Sequence, residues 1–344
     1  MLMKAILVSN KSIKLITTET PTIKSENEVL IEVKAVGLCG SDIHRIRKIQ
    51  ENSISNFTIL GHEIAGKVVE TGKRVKSFSR GDRVVVEPLI SCSKCYYCKS
   101  GNYQLCTKLK SLGKDLNGGF AEYVIVPACK AFKLEKKTSY EEGVLFDPLA
   151  VCIHAFNLAE GIKDHKVAII GDGTIGRICL QLAEYYQVQN VTIIGKHIKK
   201  RDFTSKKIHV INFNRANKLN NLKDYFDVVF ESVGRKQSET LNLAIDLVKP
   251  KGKIIVLGVF PENYKANLSV RKLFIKEGEI IGSNSYGCYK GKKEVLEALE
   301  ILNKNVLNLK QLITHTLPLS QFEKGIKLFE NKETSKAIKI VFLP

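Results

Sequence analysis

The chain has 344 residues, of which 44% are hydrophobic and 26% are charged, and its formal net charge is +19. This length is too great for one small domain and allows two domains, each with its own core. The ordinary globular composition excludes a disordered or fibrous protein. The longest apolar runs have the length of strands and are too short to span a membrane. The first residues lack the features of a signal peptide, so we expect a cytoplasmic protein.

The strong positive charge has two interpretations. Such charge marks binding to nucleic acid, a membrane surface or an anionic substrate in some proteins. Here lysine far outnumbers arginine along the whole chain, and no basic stripe alternates with aromatic residues as a nucleic-acid groove requires. We therefore assign the charge mainly to composition and solubility. The expected partner is a small-molecule substrate, without nucleic acid or membrane.

Short alternating strands separated by glycine-rich turns occupy residues 1–130, and this pattern predicts a mostly β domain. From about residue 146, strands alternate with helices. The predicted strands of this part are 166–170, 190–194, 209–213, 227–232 and 253–259. Such alternation predicts an α/β fold with a doubly wound parallel sheet and right-handed crossovers.

The segment after about residue 290 contains an amphipathic helix and ends in a strand-like run, AIKIVFL. We expect this tail to return to the first domain, so that the α/β domain is an insertion between two parts of the mostly β domain. The expected boundaries are 1–150 for the first part of the mostly β domain, 151–288 for the α/β domain and 289–344 for the return.

Four of the nine cysteines fall within fifteen residues, at Cys92, Cys95, Cys98 and Cys106. In a chain without secretory features, this clustering favours a metal site over a disulfide framework. Four closely spaced thiolates enclose one tetrahedral ion, which is the arrangement of a structural zinc site. The alternatives are free thiols and an iron–sulfur cluster. The ferredoxin pattern has a shorter last gap followed by proline, whereas Thr107 follows here.

A second constellation combines GLCGSDIH at 37–44 with GHE at 61–63. A lone cysteine or histidine is more often a core residue than a ligand. Here Asp42 follows Cys39 by three residues, where it can accept the second ring N–H of a ligating His62. Three protein ligands with one open position are typical of catalytic zinc, which polarises an alcohol or carbonyl oxygen.

The third motif is GDGTIG at 171–176, which follows a predicted strand and precedes a predicted helix. That context is the one that the dinucleotide-binding fingerprint requires. Its glycines allow a tight turn and bring the cofactor pyrophosphate close to a helix N-terminus. The alternative is an incidental glycine turn. The predicted cofactor-binding residues of the motif are Gly171, Gly173, Thr174, Ile175 and Gly176.

Together these motifs resemble the zinc-containing medium-chain alcohol and polyol dehydrogenases over nearly the whole chain. The matching segments also include LGHEIAG, GGFAEYVIVP at 118–127 and FDPLAVCIHAF at 146–156. Within the family the sequence looks nearest to the sorbitol, threonine and galactitol-phosphate dehydrogenase branch. The resemblance implies a GroES-like, mostly β catalytic domain beside a Rossmann nucleotide domain, in a homodimer or homotetramer. The implied activity is hydride transfer between a secondary alcohol, such as a polyol with or without phosphate, and a nicotinamide cofactor.

The resemblance also implies two zinc ions per chain and a ligand set for the catalytic one. Cys39 and His62 are its ligands, and Glu63 is a ligand or an exchangeable near-ligand. The remaining ligand position falls on Asp147, where this branch usually has glutamate. Because aspartate is one methylene shorter, it holds zinc through water or leaves Glu63 as the persistent ligand. Cys152 lies nearby in sequence and is a weaker candidate.

Ser41 and His44 match the positions that relay the substrate hydroxyl proton toward solvent in the broader family. The alternative roles are a helix N-cap for Ser41 and an exposed helical residue for His44. Arg45, Arg47 and Lys48 follow directly. They either receive a phosphate on the substrate or form a solvated face, and we favour the solvated face.

The end of the second nucleotide-domain strand predicts NADP in preference to NAD. NAD-using members place an acidic residue there, which accepts hydrogen bonds from the adenosine ribose. The corresponding position, nineteen residues after Gly176, is Gly195. Glycine removes both charge and bulk, and Lys196, Lys200 and Arg201 supply positive charge suited to a 2′-phosphate. The alternative is a solvated, lysine-rich helix start.

Two other functions were weighed against this one. A zinc-free quinone or enone reductase of the same superfamily lacks the Cys39, His62 and Glu63 set that this chain retains. A basic nucleic-acid-binding protein on a dehydrogenase fold has salt-dependent affinity for DNA or RNA and no alcohol-dependent change in nicotinamide absorbance.

Overall fold

The structure is a computed structural model that describes residues 1–9, 12–51, 58–198 and 208–344, without the side chains of residues 216 and 217. Its internal contacts divide the chain into two compact units. The first unit is discontinuous and comprises Met1–Asp147 together with Lys290–Pro344, and the second comprises Pro148–Tyr289. Each unit is described below by itself.

The first unit is rich in strands, as expected from the glycine-punctuated alternation of its sequence. Its elements before the second unit are β1 (Leu2–Val8), β2 (Ile13–Glu19), β3 (Glu28–Gly37), α1 (Gly40–Gln50), β4 (Glu63–Thr71), β5 (Arg83–Val86), β6 (Leu89–Ile90), α2 (Tyr96–Lys99), β7 (Lys110–Ser111), β8 (Tyr123–Pro127), β9 (Ala131–Lys133) and α3 (Tyr140–Gly143). α4 (Phe146–Ala159) follows at the unit boundary.

The same unit resumes at Lys290, after the second unit. Its later elements are numbered in chain order after those of the second unit. They are β17 (Lys292–Lys293), α9 (Glu294–Lys304), β18 (Ile313–Pro318), α10 (Phe322–Glu330), α11 (Lys332–Ser335) and β19 (Lys339–Leu343).

A seven-stranded sheet organises the first unit, with β18, β19, β3, β4, β5 and β9 in that order and β8 paired to β3. β3 lies antiparallel to β4, with Gly37 opposite Glu63. β19 lies antiparallel to β3 on its other side, with Val341 opposite Gly37. The closing strand of the sequence therefore lies beside the strand that leads into GLCGSDIH.

Helix α1 begins directly after β3 and is anchored by one apolar face. Ile43, Ile46 and Ile49 are all buried in the core of this unit, and their spacing of three places them on one side of the helix. Burial of each isoleucine contributes about 1.5–3 kcal/mol. This anchoring fixes the position of the first helical turn, which carries the candidate site residues.

The second unit alternates strands with helices. Its elements are β10 (Lys166–Ile170), α5 (Thr174–Tyr185), β11 (Asn190–Gly195), β12 (Ile208–Asn212), α6 (Ala216–Asn220), β13 (Phe226–Glu231), α7 (Glu239–Leu247), β14 (Val248–Val256), α8 (Val270–Lys276), β15 (Glu279–Gly282) and β16 (Cys288–Tyr289).

Six strands of the second unit form one sheet in the order β12, β11, β10, β13, β14, β15. All five pairings are parallel. Numbered within the sheet, this order is 3-2-1-4-5-6, the order of a Rossmann fold. The three central strands, β11, β10 and β13, are mostly buried, because helices cover both faces of such a sheet. The predicted doubly wound parallel sheet is thus confirmed.

One stretch of the described chain, Tyr140–Ala159, is long and apolar enough to cross a membrane by length and composition alone. However, 78% of its most apolar window is buried inside the protein. Such burial is typical of a core helix, which needs the same apolar composition in order to pack on all sides.

Candidate metal and nucleotide sites

Cys39 lies at the N-cap of α1, one residue before the helix begins. Its backbone N–H donates to Oδ2 of Asp42 at 2.9 Å, while the Asp42 backbone N–H points to the Cys39 side chain. This reciprocal arrangement is a capping box built with cysteine instead of serine or threonine. It leaves the Cys39 thiol at the helix N-terminus.

His62 precedes β4 and lies with its Nδ1 at 3.3 Å from Oδ1 of the buried Asp42. Burial opposes the charged imidazolium, but the Asp42 carboxylate outweighs it and holds the pKa of His62 well above its ordinary value of 6.5. With Nδ1–H directed at Asp42, the other ring nitrogen, Nε2, is the one presented to a ligand. This is the carboxylate–histidine arrangement that orients a metal-binding imidazole.

Glu63 completes a cluster with Cys39 and His62, whose potential ligand atoms all lie within 4.8 Å of one another. The Glu63 carboxylate also forms an ion pair with Lys339 of β19, and both side chains are almost completely buried. Lys339 Nζ additionally donates to the Leu38 carbonyl at 3.3 Å. A Cβ at Gly37 would overlap the Glu63 carboxylate and approach Lys339 Cε to 2.9 Å. Glycine at position 37 therefore makes room for the ion pair.

The other predicted site residues are placed differently. Asp147 is buried at the start of α4, but among the described residues it is not part of the cluster of potential ligands. Cys152 also lies outside that cluster and donates to the backbone oxygen of Ile175 at 3.7 Å. Ser41 is exposed in the first turn of α1 and His44 is partly buried, three positions later and so on the same helix face.

The four cysteines of the lobe form a second cluster, with all four sulfurs within 4.8 Å of one another. Cys98 Sγ lies 3.5 Å from Cys95 Sγ and 3.9 Å from Cys92 Sγ. Cys106 Sγ accepts the backbone N–H groups of Cys92 and Lys108, both at 3.3 Å. Sulfurs at about 2.3 Å from a tetrahedral zinc ion lie about 3.8 Å apart, so these separations fit zinc.

Backbone hydrogen bonds and burial shift the pKa values of the thiols in this lobe. The N–H of Cys98 points to Cys95 Sγ and lowers the pKa of Cys95 to about 6. Desolvation, reinforced by the neighbouring thiols, raises the pKa of Cys98 to about 11. Closely packed thiols whose pKa values are shifted in opposite directions cannot all ionise without a cation, because their negative charges repel one another. A divalent soft metal ion removes that repulsion.

The GDGTIG segment forms the turn between β10 and α5, with Gly173 at the N-cap of the helix. Gly171 has φ +112°, a conformation that side-chain-bearing residues rarely adopt. A Cβ at Gly176 would overlap the Gly171 carbonyl, whereas one at Gly173 would meet nothing within 4 Å. The turn is therefore tightly packed toward the protein and open at Gly173, as a loop that approaches a pyrophosphate must be.

The end of β11 lies beside this turn. Gly195 is buried, and the following Lys196 extends its Nζ over the Phe213 ring, 5.6 Å from the ring centroid. Lys200 and Arg201, also predicted to contact the cofactor, lie outside the described residues. Two residues were not predicted from the sequence, namely Lys339 beside Glu63 and Asp172 beside Gly195. A lone lysine inside the apolar strand AIKIVFL was the available signal for Lys339.

The chain matches known protein families on both sides of the unit boundary. Residues 25–136 match the alcohol dehydrogenase GroES-like domain, and residues 174–304 match the zinc-binding dehydrogenase domain. Galactitol 1-phosphate 5-dehydrogenase of Escherichia coli (strain K12) is 30% identical over 318 residues, which cover 89% of this chain and 90% of that protein. Sorbitol dehydrogenase of Bacillus subtilis (strain 168) is 30% identical over 336 residues, covering 94% and 93%.

Among solved structures, a zinc-binding dehydrogenase of Sinorhizobium meliloti 1021 bound to NADP superposes with a TM-score of 0.87 and 27% identity, covering 100% of both chains. The fold class and enzyme class predicted from the sequence are thereby confirmed, and neither alternative function is favoured. This chain belongs to the zinc-containing alcohol and polyol dehydrogenases, a family of oxidoreductases that use a nicotinamide cofactor.

Proposed function

We propose that this protein oxidises a secondary alcohol group of a polyol or sugar-alcohol-like substrate, reversibly, with a nicotinamide cofactor as hydride acceptor. The main observation that supports this proposal is the compact cluster of Cys39, His62 and Glu63. Asp42 contacts the ring of His62 through Nδ1. The relatives named as galactitol 1-phosphate and sorbitol dehydrogenases support a polyhydroxy substrate. We place the protein in the cytoplasm.

We further propose two zinc ions per chain. The donor sets fit them, because sulfur and imidazole nitrogen are preferred zinc ligands and four thiolates make a closed structural site. Zinc at Cys39, His62 and Glu63 would supply a Lewis acid that polarises the substrate oxygen and lowers the pKa of its hydroxyl. Asp42 keeps the His62 ring in the required tautomer, and Lys339 holds the Glu63 carboxylate in place. Asp147 remains a proposed ligand through water.

The screen that tests this function uses purified, zinc-loaded protein with NAD and NADP against polyols, sugar phosphates and simple secondary alcohols. We expect turnover with a polyol, detected as the appearance of the absorbance of NADH or NADPH.

Arg47 is paired with Glu330 at 2.7 Å and Arg45 donates to the Lys114 carbonyl at 2.9 Å. Because these partners already engage both guanidinium groups, we favour an unphosphorylated substrate. Salt-dependent binding to DNA or RNA without turnover would instead support the nucleic-acid alternative.

The proposed proton path runs from the substrate hydroxyl through Ser41 and His44 to solvent. We expect His44→Ala to lower kcat several-fold to about a hundredfold, the usual range for a positioned acid–base group. Imidazole added to the buffer should restore part of the rate, because it can carry the proton in place of the missing ring. Ser41→Ala is the companion variant. Unchanged kcat and an unchanged pH profile in His44→Ala would leave His44 as a surface residue.

We propose that the cofactor is NADP in preference to NAD. The support is the absence of an acid at position 195 and the presence of Lys196, exposed at the strand end. We expect a higher kcat/KM with NADP, and we expect the Lys196→Ala/Arg201→Ala double variant to lose several-fold to about tenfold in NADP use, since charge-assisted contacts to phosphate contribute affinity. A higher kcat/KM with NAD in the native protein would contradict the preference.

We propose a homodimer formed through the edge of the parallel sheet, with a homotetramer as the larger alternative. β15 is the last strand of that sheet within the described residues. Large apolar side chains are exposed beside it, namely Val270, Phe274 and Ile275 on α8 and Ile280 on β15. An exposed apolar edge strand is a pairing surface, and a second copy of the chain offers the same edge.

This interface predicts that Phe274→Glu combined with Ile275→Glu shifts the protein to a monomer, because two carboxylates per subunit would be buried without partners. The molar mass is measured by light scattering after size-exclusion chromatography. Leu296→Glu changes an exposed leucine on α9 in the same way and serves as the matched control, with no shift expected. A double variant that keeps the native mass would rule out this face.

A further inference from the structure

Asp172, the second residue of GDGTIG, lies against Gly195 at the end of β11. A Cβ added at Gly195 would lie 2.5 Å from both Cβ and Cγ of Asp172 and 2.6 Å from its Oδ2. The φ of Gly195 lies outside the left-handed region, so its backbone is open to other residues. Asp172 itself is therefore what excludes a side chain, acidic or not, at position 195.

The carboxylate of Asp172 is held by the loop that follows β11. Its Oδ2 accepts the backbone N–H of His197 at 2.6 Å and that of Ile198 at 2.7 Å. Two successive N–H groups that converge on one oxygen form an anion-binding concavity of the kind that also receives phosphate. Ile198 is buried. An internal carboxylate thus occupies these two backbone donors.

We propose that Asp172 limits the preference for NADP, because its carboxylate occupies the backbone donors that the 2′-phosphate of NADP would otherwise use. This inference rests on the proposed function in one respect, that the adenosine end of the cofactor lies at the carboxyl end of β11. A 2′-phosphate at this loop must displace the carboxylate from His197 and Ile198 and is repelled by its charge. NAD leaves the carboxylate in place, as an acceptor for a ribose hydroxyl.

The absence of an acidic residue at position 195, first explained by a preference for NADP, thereby has a second explanation. Asp172 brings a carboxylate to the same end of β11 from the neighbouring turn, in the space that a side chain at 195 would fill. Lys196 favours the 2′-phosphate and Asp172 opposes it, so the balance between the two cofactors depends on both residues.

The test measures binding of adenosine 2′,5′-bisphosphate and adenosine 5′-monophosphate to the full-length, zinc-loaded protein by calorimetry. We expect Asp172→Ala to tighten bisphosphate binding at least about tenfold, because it frees two donors and removes a like charge. Monophosphate binding should be unchanged or weaker. Asp172→Asn removes the charge but keeps an oxygen for the two N–H groups, so an intermediate gain is expected. The NADP-to-NAD ratio of kcat/KM should rise in the same order.

Asp164→Asn removes an equal charge from an exposed position just before the other end of β10. It is the matched control, and we expect its bisphosphate binding to be unchanged.

A second measurement uses thermal stability. Gly195→Ala should lower the melting temperature of the native protein but have little further effect in the Asp172→Gly background, where both the Cβ and the carboxylate that obstruct it are gone. Unchanged or weaker bisphosphate binding in folded Asp172→Ala overturns the inference. A native preference for NAD would instead reject only the proposed NADP preference.

Discussion

Replacement of Cys39 by serine is expected to lower kcat/KM at least about a thousandfold, since the Lewis acid contributes several kcal/mol and each 1.4 kcal/mol is a factor of ten. The zinc content should fall from two ions per chain to one. The remaining ion should be held by the lobe, whose sulfurs lie within 4.8 Å of one another and apart from Cys39 in the chain. Elemental analysis of the purified variant, together with steady-state rates, measures both effects.

Cys95→Ser is the comparison variant. It should release the lobe metal and lower thermal stability or disturb assembly, while the ion at Cys39 and His62 remains. Iron in place of zinc in the native protein would contradict the assignment. So would a native protein with a single zinc ion that is lost only when a lobe cysteine is changed.

Replacement of Lys339 by methionine is expected to destabilise the first unit by about 3–5 kcal/mol, the usual result of removing one partner of a buried ion pair. Glu63, which is 2% exposed, would lose its ion-pair partner in the core. The loss of stability should be largest after a chelator has removed the zinc, because bound zinc offers Glu63 a second positive partner. Calorimetric melting of the zinc-loaded and the chelated protein distinguishes the two conditions.

The Glu63→Gln/Lys339→Met double variant should recover part of the stability, since it removes both charges and leaves no unpaired ion in the core. Lys339→Arg, which keeps the charge, should be tolerated better than methionine. If methionine alone left the melting temperature unchanged in the chelated protein, the Lys339 ammonium would have no part in holding Glu63.

The sequence was most informative where a property is local. The strand 166–170 was predicted with the bounds that β10 has, because a short apolar run between polar residues and a glycine turn is a local pattern. The four-cysteine lobe was equally visible, since its members lie within fifteen residues. β15 was not identified, because it has only four residues and is partly exposed.

Contacts between distant segments were harder to predict. Lys339 lies 301 residues beyond Leu38, whose carbonyl it contacts, and no periodicity links two such positions. Asp172 was not among the residues predicted to bind the cofactor, although it is the residue that fills the space beside Gly195. Asp147 was placed by resemblance, and the described structure leaves it outside the cluster of potential ligands. Which of these residues come into contact depends on the length and direction of their side chains in the folded protein, and a sequence motif does not specify either.

The interrupted path of the chain through its first unit imposes an order on synthesis. Pro148–Tyr289 is contiguous and is complete on the ribosome while β19 has yet to be made. Until β19 pairs with β3, Glu63 lacks the ammonium group that neutralises it. The second unit can therefore fold as soon as it emerges, whereas the charge of Glu63 in the cluster with Cys39 and His62 is balanced only when the later segment docks.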